Sequence, residues 1–427
     1  MKNKLFVFVF FLMPLLSTTV FTNLSSLFSF AEEHNLSLKE VNLELEKQRY
    51  DILIAKRRKL FTLELQSSYM RVSKLMELEL PFLREGILFG TKNTYDFSLL
   101  FNQPVFTGGK LSASVQIKKL EKSEKEQEKR IIQNKVYTEI ARLYYTGVIA
   151  ELQKEILLRQ KAFLKEFLQD TEKLYKGGQI DYIEVLQVRK KLNEMEMALR
   201  ELEDKINRTR IRIFNLIGMD NFDGEIKFRA EPRLKPLPIV EKIINPEISL
   251  LAEKEKKLQQ IIKLQKSSMY PQVFIMGRYS YGKPGIDLIK KEWMGYWNVG
   301  ISASFTLWNW KTTNMEFKKV AVDLEKLRNR RQKLLSNIKA QLENLKSEYE
   351  KNVALISLWD ERISLIKKVL QIKQEQFRQN QIIPTELLKV NTELEEAELK
   401  KMESLSKALL SRIEYITTSG LSIKEEL

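Results

Sequence analysis

Residue types that carry covalent chemistry are almost missing from this chain. It has no cysteine, which removes disulfides, thiol catalysis and a cysteine on which a lipid anchor could be built. Its single histidine, His34, lies close to the N-terminus, and no glycine-rich phosphate loop is present. No cofactor is implied, and an enzyme has nothing to stand on. The remaining polar groups are carboxylates and amines. Seventy-two Lys and Arg are set against 56 Asp and Glu, a net charge of +16. Removing Lys2 and Lys4 with an export signal leaves +14. The two signs alternate along helical stretches, as on a solvated helix face, which argues against a nucleic-acid partner.

The most informative carboxylates sit in a repeated segment. Tyr175 to Leu186 reads YKGGQIDYIEVL and Phe377 to Leu388 reads FRQNQIIPTELL, a displacement of 202 positions. The same register joins Val188 to Val390, Leu192 to Leu394 and Gly218 to Gly420, and reaches back to Phe97 and Val299. A repeat of this size fixes the architecture: two copies of one supersecondary module. Each copy runs helix, pair of alternating strands, very long helix, tight turn, return helix. Asp181 with Glu184 is a helix-start signal for the first return helix, and Pro384 for the second. Gly177 and Gly178, and Asn380 in the second copy, supply the left-handed backbone that ends a helix.

The elements positioning these turns are long. Lys110 to Lys176 and Thr312 to Arg378 contain no proline, and Gly147 is their one interior glycine. At 1.5 Å per residue each would reach about 100 Å if continuous. The second has an apolar stripe with steps of three and four through Leu335, Ile338, Leu342, Leu345, Tyr349, Val353, Ile356, Trp359, Ile363, Ile366 and Leu370. That is coiled-coil-like helix packing. Ser37 and Glu40 form a capping box that opens a helix to about Leu60, and Asn245-Pro246-Glu247 opens its counterpart.

The strands alternate. Trp297, Val299, Ile301, Ala303, Phe305 and Leu307 share one face, against Asn298, Gly300, Ser302, Ser304 and Thr306. Val273, Ile275, Gly277, Tyr279 and Tyr281 do the same, as do Leu63, Leu65, Ser67 and Tyr69, and Tyr95, Phe97, Leu99 and Phe101. A half-buried soluble sheet and a membrane wall both alternate this way. Segment length, and aromatic residues at the ends (Tyr69, Tyr95, Trp293, Tyr296, Trp297, Trp308, Trp310), favour the membrane. So does the N-terminus, where Lys2 and Lys4 precede the apolar run Leu5 to Leu16 and Ser29-Phe30-Ala31 offers a small-x-small cleavage site. The domain reading is a signal over 1–31 and a first repeat over 32–218, with strand pair 61–105, long helix 110–176 and return helix 181–217. A linker over 219–244 follows. The second repeat spans 245–420, with strand pair 272–307, long helix 312–378 and return helix 384–418, and a tail covers 421–427.

These residues resemble the TolC-like outer-membrane efflux protein family, whose duplicated Tyr-x-x-Gly-x-apolar-x-x-x-acid-apolar-Leu turn matches Tyr175, Gly178, Ile180, Glu184, Val185 and Leu186. Phe377, Asn380, Ile382, Glu386, Leu387 and Leu388 match it more loosely. A Gln-Pro run followed by two glycines, Gln103 to Gly109, adds to the resemblance. The resemblance implies a mainly α fold with inserted β: long helical hairpins forming a periplasmic α-barrel, and four strands per chain closing a shared β-barrel in a homotrimer. It implies a passive exit duct in outer-membrane lipid, partnered by a periplasmic adaptor and an inner-membrane pump of RND or ABC type. An adaptor or assembly protein is the alternative, though adaptors are not duplicated. The resemblance puts Glu184, Gln187, Glu386 and Lys389 near the pore constriction, with Tyr175, Gly177, Gly178, Phe377 and Asn380 at the tip turns. Lys389 stands where many members have a second acid, and Phe377 and Ile382 replace polar residues. Glu184 also reads as a capping residue.

Overall fold

The computed structural model describes residues 20–78, 87–219, 224–229, 232 and 234–426. The first half contains β1 (Val20–Phe21), α1 (Leu24–His34), α2 (Leu36–Arg57), β2 (Thr62–Arg71), β3 (Met76–Leu78), β4 (Ile87–Phe89), β5 (Asn93–Phe106), α3 (Lys110–Lys176) and α4 (Tyr182–Ile217). The second contains β6 (Glu225–Ile226), α5 (Pro246–Ser267), β7 (Gln272–Lys283), β8 (Met294–Ser304), α6 (Thr312–Arg378), α7 (Pro384–Ser419) and α8 (Ile423–Glu426). The chain divides into two compact units, each drawing segments from both halves. No described helix is long and apolar enough to cross a membrane.

The unit made of Val41–Lys129 and Pro246–Leu335 holds the principal sheet, antiparallel throughout and ordered β2-β5-β7-β8. The two hairpins join through β5 and β7, where Leu99 lies opposite Tyr279 and Phe101 opposite Gly277. Across the outer pairs Leu65 faces Leu99 and Ile301 faces Ile275, so the apolar positions of all four strands share one face. That face is bare in the chain alone: Leu65 is 76% exposed and Ile301 75%. The opposite face is polar and carries a charged pair. Arg278 donates to Asp96 (2.6 Å) and Ser98 (2.7 Å), and Ser98 and Ser280 are fully buried beneath it. β8 ends at Ser304, leaving Phe305 and Leu307 beyond the strand.

Helices in this unit follow the strand order, with an ion pair at each seam. Lys118 meets Asp51 (3.3 Å) between α2 and α3, and Lys257 meets Glu124 (2.7 Å) between α3 and α5. Glu255 takes both Arg328 (2.8 Å) and Arg331 (3.1 Å) between α5 and α6. The turn into α3 needs glycine: Gly108 has φ +59°, and a Cβ there would lie 2.6 Å from the Ser267 carbonyl oxygen. Its repeat mates Trp310 and Lys311 hold φ of 54° and 58° with full side chains. Left-handed backbone costs such residues roughly 1–2 kcal/mol each.

The second unit comprises Met1–Glu40, Arg130–Asn245 and Ser336–Leu427. Its core is a stripe of α3 (Ile140, Tyr144, Val148, Leu164) closed by one of α4 (Val188, Met195, Ile206, Ile213). The α6 stripe is buried at Ile338, Leu342, Leu345, Tyr349, Ile363 and Ile366, whereas Val353 is exposed. Both return helices end on a left-handed glycine, Gly218 at φ 82° and Gly420 at φ 88°. A Cβ on Gly218 would collide with the His34 carbonyl, and one on Gly420 with that of Ile244. Beside each contact an asparagine reaches the same return helix: Asn35 Nδ2 donates to Leu216 O (2.6 Å), and Asn245 Nδ2 to Thr418 O (3.0 Å). One joint is thus built twice.

This joint moves the cap of α2, and folded structure extends into the segments on either side. The start of α2 is capped by Asn35, whose Oδ1 accepts the Leu38 amide (3.0 Å), and Ser37 lies inside the helix. Asn35 prevails because it satisfies orphan groups of two helices together. The expected signal over 1–31 overlaps folded structure. Residues 1–19 lie outside the described ones, but Phe21, Leu27, Phe28 and Ala31 are core residues, and β1 pairs with β6. Cleavage after Ala31 would strip that core. The linker and tail are likewise tied down. Phe228 is buried where only Gly147 of α3 leaves room for its ring, and Ile423 of α8 is buried. Lys424 pairs with Glu32 (2.7 Å), which also accepts from Tyr137. Burial would raise the Glu32 carboxyl, but these hydrogen bonds hold it below the usual range.

The mature chain is therefore expected to retain Val20 to Ala31. Intact-mass measurement on protein purified from membranes checks this, and a terminus at Glu32 would contradict it.

Candidate pore constriction at the repeated turns

Each long helix ends in the same hydrogen-bonded reversal. Gly178 N donates to Tyr175 O (2.9 Å) and Gln179 N to Leu174 O (3.0 Å). In the second copy Asn380 N donates to Phe377 O (2.9 Å) and Gln381 N to Gln376 O (2.9 Å). Gly178 has φ 71° and Asn380 φ 55°, so asparagine takes the left-handed position that glycine fills in the first turn. Gly177 precedes it, donating to Lys173 O (3.0 Å).

The side chains around the two turns have diverged. Tyr175 is 43% exposed and packs on Tyr182 with ring centroids 5.1 Å apart. Phe377, its repeat mate, is buried edge-on against Phe167 of α3 (5.1 Å). Ile382 packs on the same core. These two apolar replacements therefore bind the second turn to the first hairpin.

The duplicated acids differ more. Asp181 occupies the cap position of α4 but makes no side-chain cap bond, and neither does Ile383 at the start of α7. Glu184, expected to act within its own helix start or in the pore, is buried and crosses to the other return helix. Its Oε2 accepts the Thr385 amide (2.9 Å) and the Thr385 hydroxyl. Gln187 Oε1 is 3.5 Å from the same hydroxyl. Glu184 thus supplies to α7 the acceptor that Ile383 lacks, with its charge at the positive end of that helix. Glu386 is half exposed and pairs with Lys373 of α6 (2.8 Å). Lys389 is exposed, three positions on and on the same helix face. Deeper between the return helices Lys191 meets Glu395 (3.0 Å), both largely covered.

The structure thus brings Glu184, Gln187 and the start of α7 together, and leaves Glu386 and Lys389 at the surface. Sequence reasoning missed Thr385 and Lys373. Thr385 at the second helical position was a visible clue, but nothing local indicates a partner 201 residues away.

Glu184→Ala is expected to cost about 1–2 kcal/mol, the worth of a lost helix cap, concentrated in the first turn of α7. Hydrogen exchange at the Thr385 amide should accelerate roughly tenfold by opening of that turn. Unchanged protection would deny the cap.

Residues 27–219 match the family model described as outer membrane efflux protein, beginning within α1 and ending just after the Gly218 joint. No curated protein matches the chain in sequence. Solved structures match its fold. The CusC channel aligns with TM-score 0.79 at 12% identity, over 93% of this chain and 92% of that one. VceC, an outer membrane protein of Vibrio cholerae, aligns with TM-score 0.79 at 15% identity over 93% and 96%. The CmeC outer membrane channel of Campylobacter jejuni gives 0.78 at 16% over 93% and 85%. The first repeat thus matches the outer membrane efflux protein family model, and the fold of both repeats is that of these outer-membrane channels.

Proposed function

We propose that this protein is the exit duct of a tripartite efflux or secretion system: a homotrimeric outer-membrane channel that conducts substrate delivered by an inner-membrane pump through a periplasmic adaptor. The observation that carries this reading is the sheet. It has one continuous apolar face open to its surroundings, and among the described residues its outer strands β2 and β8 each have an unpaired edge. Unpaired backbone groups in hydrocarbon cost several kcal/mol each, so an open four-stranded sheet cannot sit in lipid. Pairing β8 of one copy with β2 of the next, three times, closes twelve strands with no edge left. The helices have the same need: α2 exposes Leu43, Tyr50, Leu53 and Ile54, and α6 exposes Met315 and Val322. A periplasmic adaptor has no use for an apolar sheet face.

No step of this function is catalytic. Energy comes from the pump, of RND or ABC type, and the duct contributes a wall and an aperture. In this reading the repeated turns form the periplasmic end, and Glu386 of three copies contributes to a ring that favours cations. Lys373 and Lys389 temper that ring. Glu184, committed to its cap, contributes little.

Two experiments test the proposal. Ile301→Lys is expected to block assembly in the outer membrane, since a cation on the lipid face at mid-bilayer costs about 2–4 kcal/mol per chain. Ser302→Lys on the opposite face is expected to be tolerated. Equal yields of heat-resistant trimer from both variants would refute a lipid-facing sheet. In planar-bilayer recordings, Glu386→Gln should lower cation preference and Lys389→Glu should raise it, both less strongly at high salt. Selectivity indifferent to both changes would remove these residues from the aperture.

A further inference from the structure

The positive charge is unevenly placed. The unit containing the sheet holds 33 Lys and Arg against 20 Asp and Glu, so +13 of the net +16 lies there. Acids are also missing from particular stretches. None occurs between Asp51 and Glu64, Asp96 and Glu121, Glu255 and Asp287, or Glu292 and Glu316. Each of these windows contains one of the four junctions between a strand of the sheet and the helix joined to it.

Every junction pairs an exposed base with an exposed aromatic ring. The run Lys56 to Lys59 ends α2 just before Phe61, and Phe106 comes just before Lys110 at the start of α3. Lys266 comes before Tyr270, and Trp310 before Lys311. Among the described residues none of these bases makes an ion pair; Lys266 instead lies over the Phe317 ring at 5.1 Å. Two of the four rings are placed on a face by their neighbours. Phe61 packs on Phe101 at 5.3 Å and Phe106 lies opposite Val273, both on the apolar face of the sheet. A row of rings bordering an apolar wall, beside cations that make no ion pair although Lys59 donates to Ser112 (3.0 Å), is complementary to a bilayer's phosphate layer.

We propose that the four strand–helix junctions form a collar that binds anionic phosphate headgroups of the outer membrane's periplasmic leaflet. The proposal rests on the barrel reading above. The rings anchor depth at the hydrocarbon boundary, and the bases reach the phosphates.

The test uses the full-length trimer in phosphatidylcholine bilayers doped with brominated phosphatidylglycerol or brominated phosphatidylcholine, read by tryptophan quenching. At low salt the protein is expected to prefer the anionic lipid roughly fivefold, the factor that one engaged base supplies. The preference should largely vanish at about 0.5 M salt, and in a variant with Lys56→Gln, Arg57→Gln, Arg58→Gln and Lys59→Gln should fall by at least half. Equal quenching by both lipids at low salt overturns the collar and leaves the barrel intact; no quenching by either overturns the barrel itself. A preference insensitive to salt also overturns the collar and needs no variant to detect. Retention on isolated peptidoglycan, abolished in the variant without any lipid preference, would assign the bases to that polymer and equally overturn it.

Discussion

Everything in this molecule follows from the requirement that backbone N–H and C=O groups be paired. Among the described residues of one chain the requirement is met for β5 and β7, each hydrogen-bonded on both sides, and unmet for the outer edges of β2 and β8. A soluble protein blunts such edges with charge, proline or a covering loop. Here the edge strands are ten and eleven residues long and carry exposed Leu65, Val299 and Ile301. In the proposed trimer the neighbouring copies pair these edges. The helices beneath follow, because their order repeats that of the strands and their outer members carry the exposed apolar residues.

Duplication shows which parts of the module are mechanically necessary. The asparagine–glycine joint is kept in both copies with the same atoms: a side-chain amide to a late carbonyl, and a left-handed glycine beneath a passing backbone. The turns keep their hydrogen bonds while changing residues, since asparagine tolerates the left-handed position that glycine occupies freely. The entry to α6 keeps only the shape. Trp310 and Lys311 hold a left-handed conformation that glycine accepts without strain, and they place a ring and a cation where the first copy has Gly108 and Gly109.

Local and periodic features were legible in the sequence. Helices α3 and α6 were readable because 67 residues without proline and with steps of three and four admit no other structure. The strand faces were readable because period two is unambiguous when one face is large and apolar. What could not be read depends on partners distant in sequence. The Ser37 capping box has good local credentials, yet Asn35 wins through Leu216, 181 positions away. Residues 20–31 read in sequence as the end of an export signal because apolar, small residues serve both purposes; their packing against α4 depends on residues far along the chain. The charged pair on the polar sheet face was hidden for the same reason, since Asp96 and Arg278 are 182 residues apart.

The turn acids carry this separation of local from distant into function. Glu184 and Glu386 are the same residue in the repeat, at the same offset from a tight turn, and local sequence assigns them one role. The difference arises one residue earlier in the second copy. There Thr385 presents an amide and a hydroxyl at a helix start whose cap residue, Ile383, has no acceptor. A buried carboxylate that accepts two hydrogen bonds at a helix N-terminus is committed to those contacts, which leave little of its charge for a solvent-filled space. Glu386 meets no such donor pair. Its neighbours are two lysines, one in contact and one a turn along, so its field is set by side chains that can move. One acid became part of the scaffold, and the other stayed available at the surface.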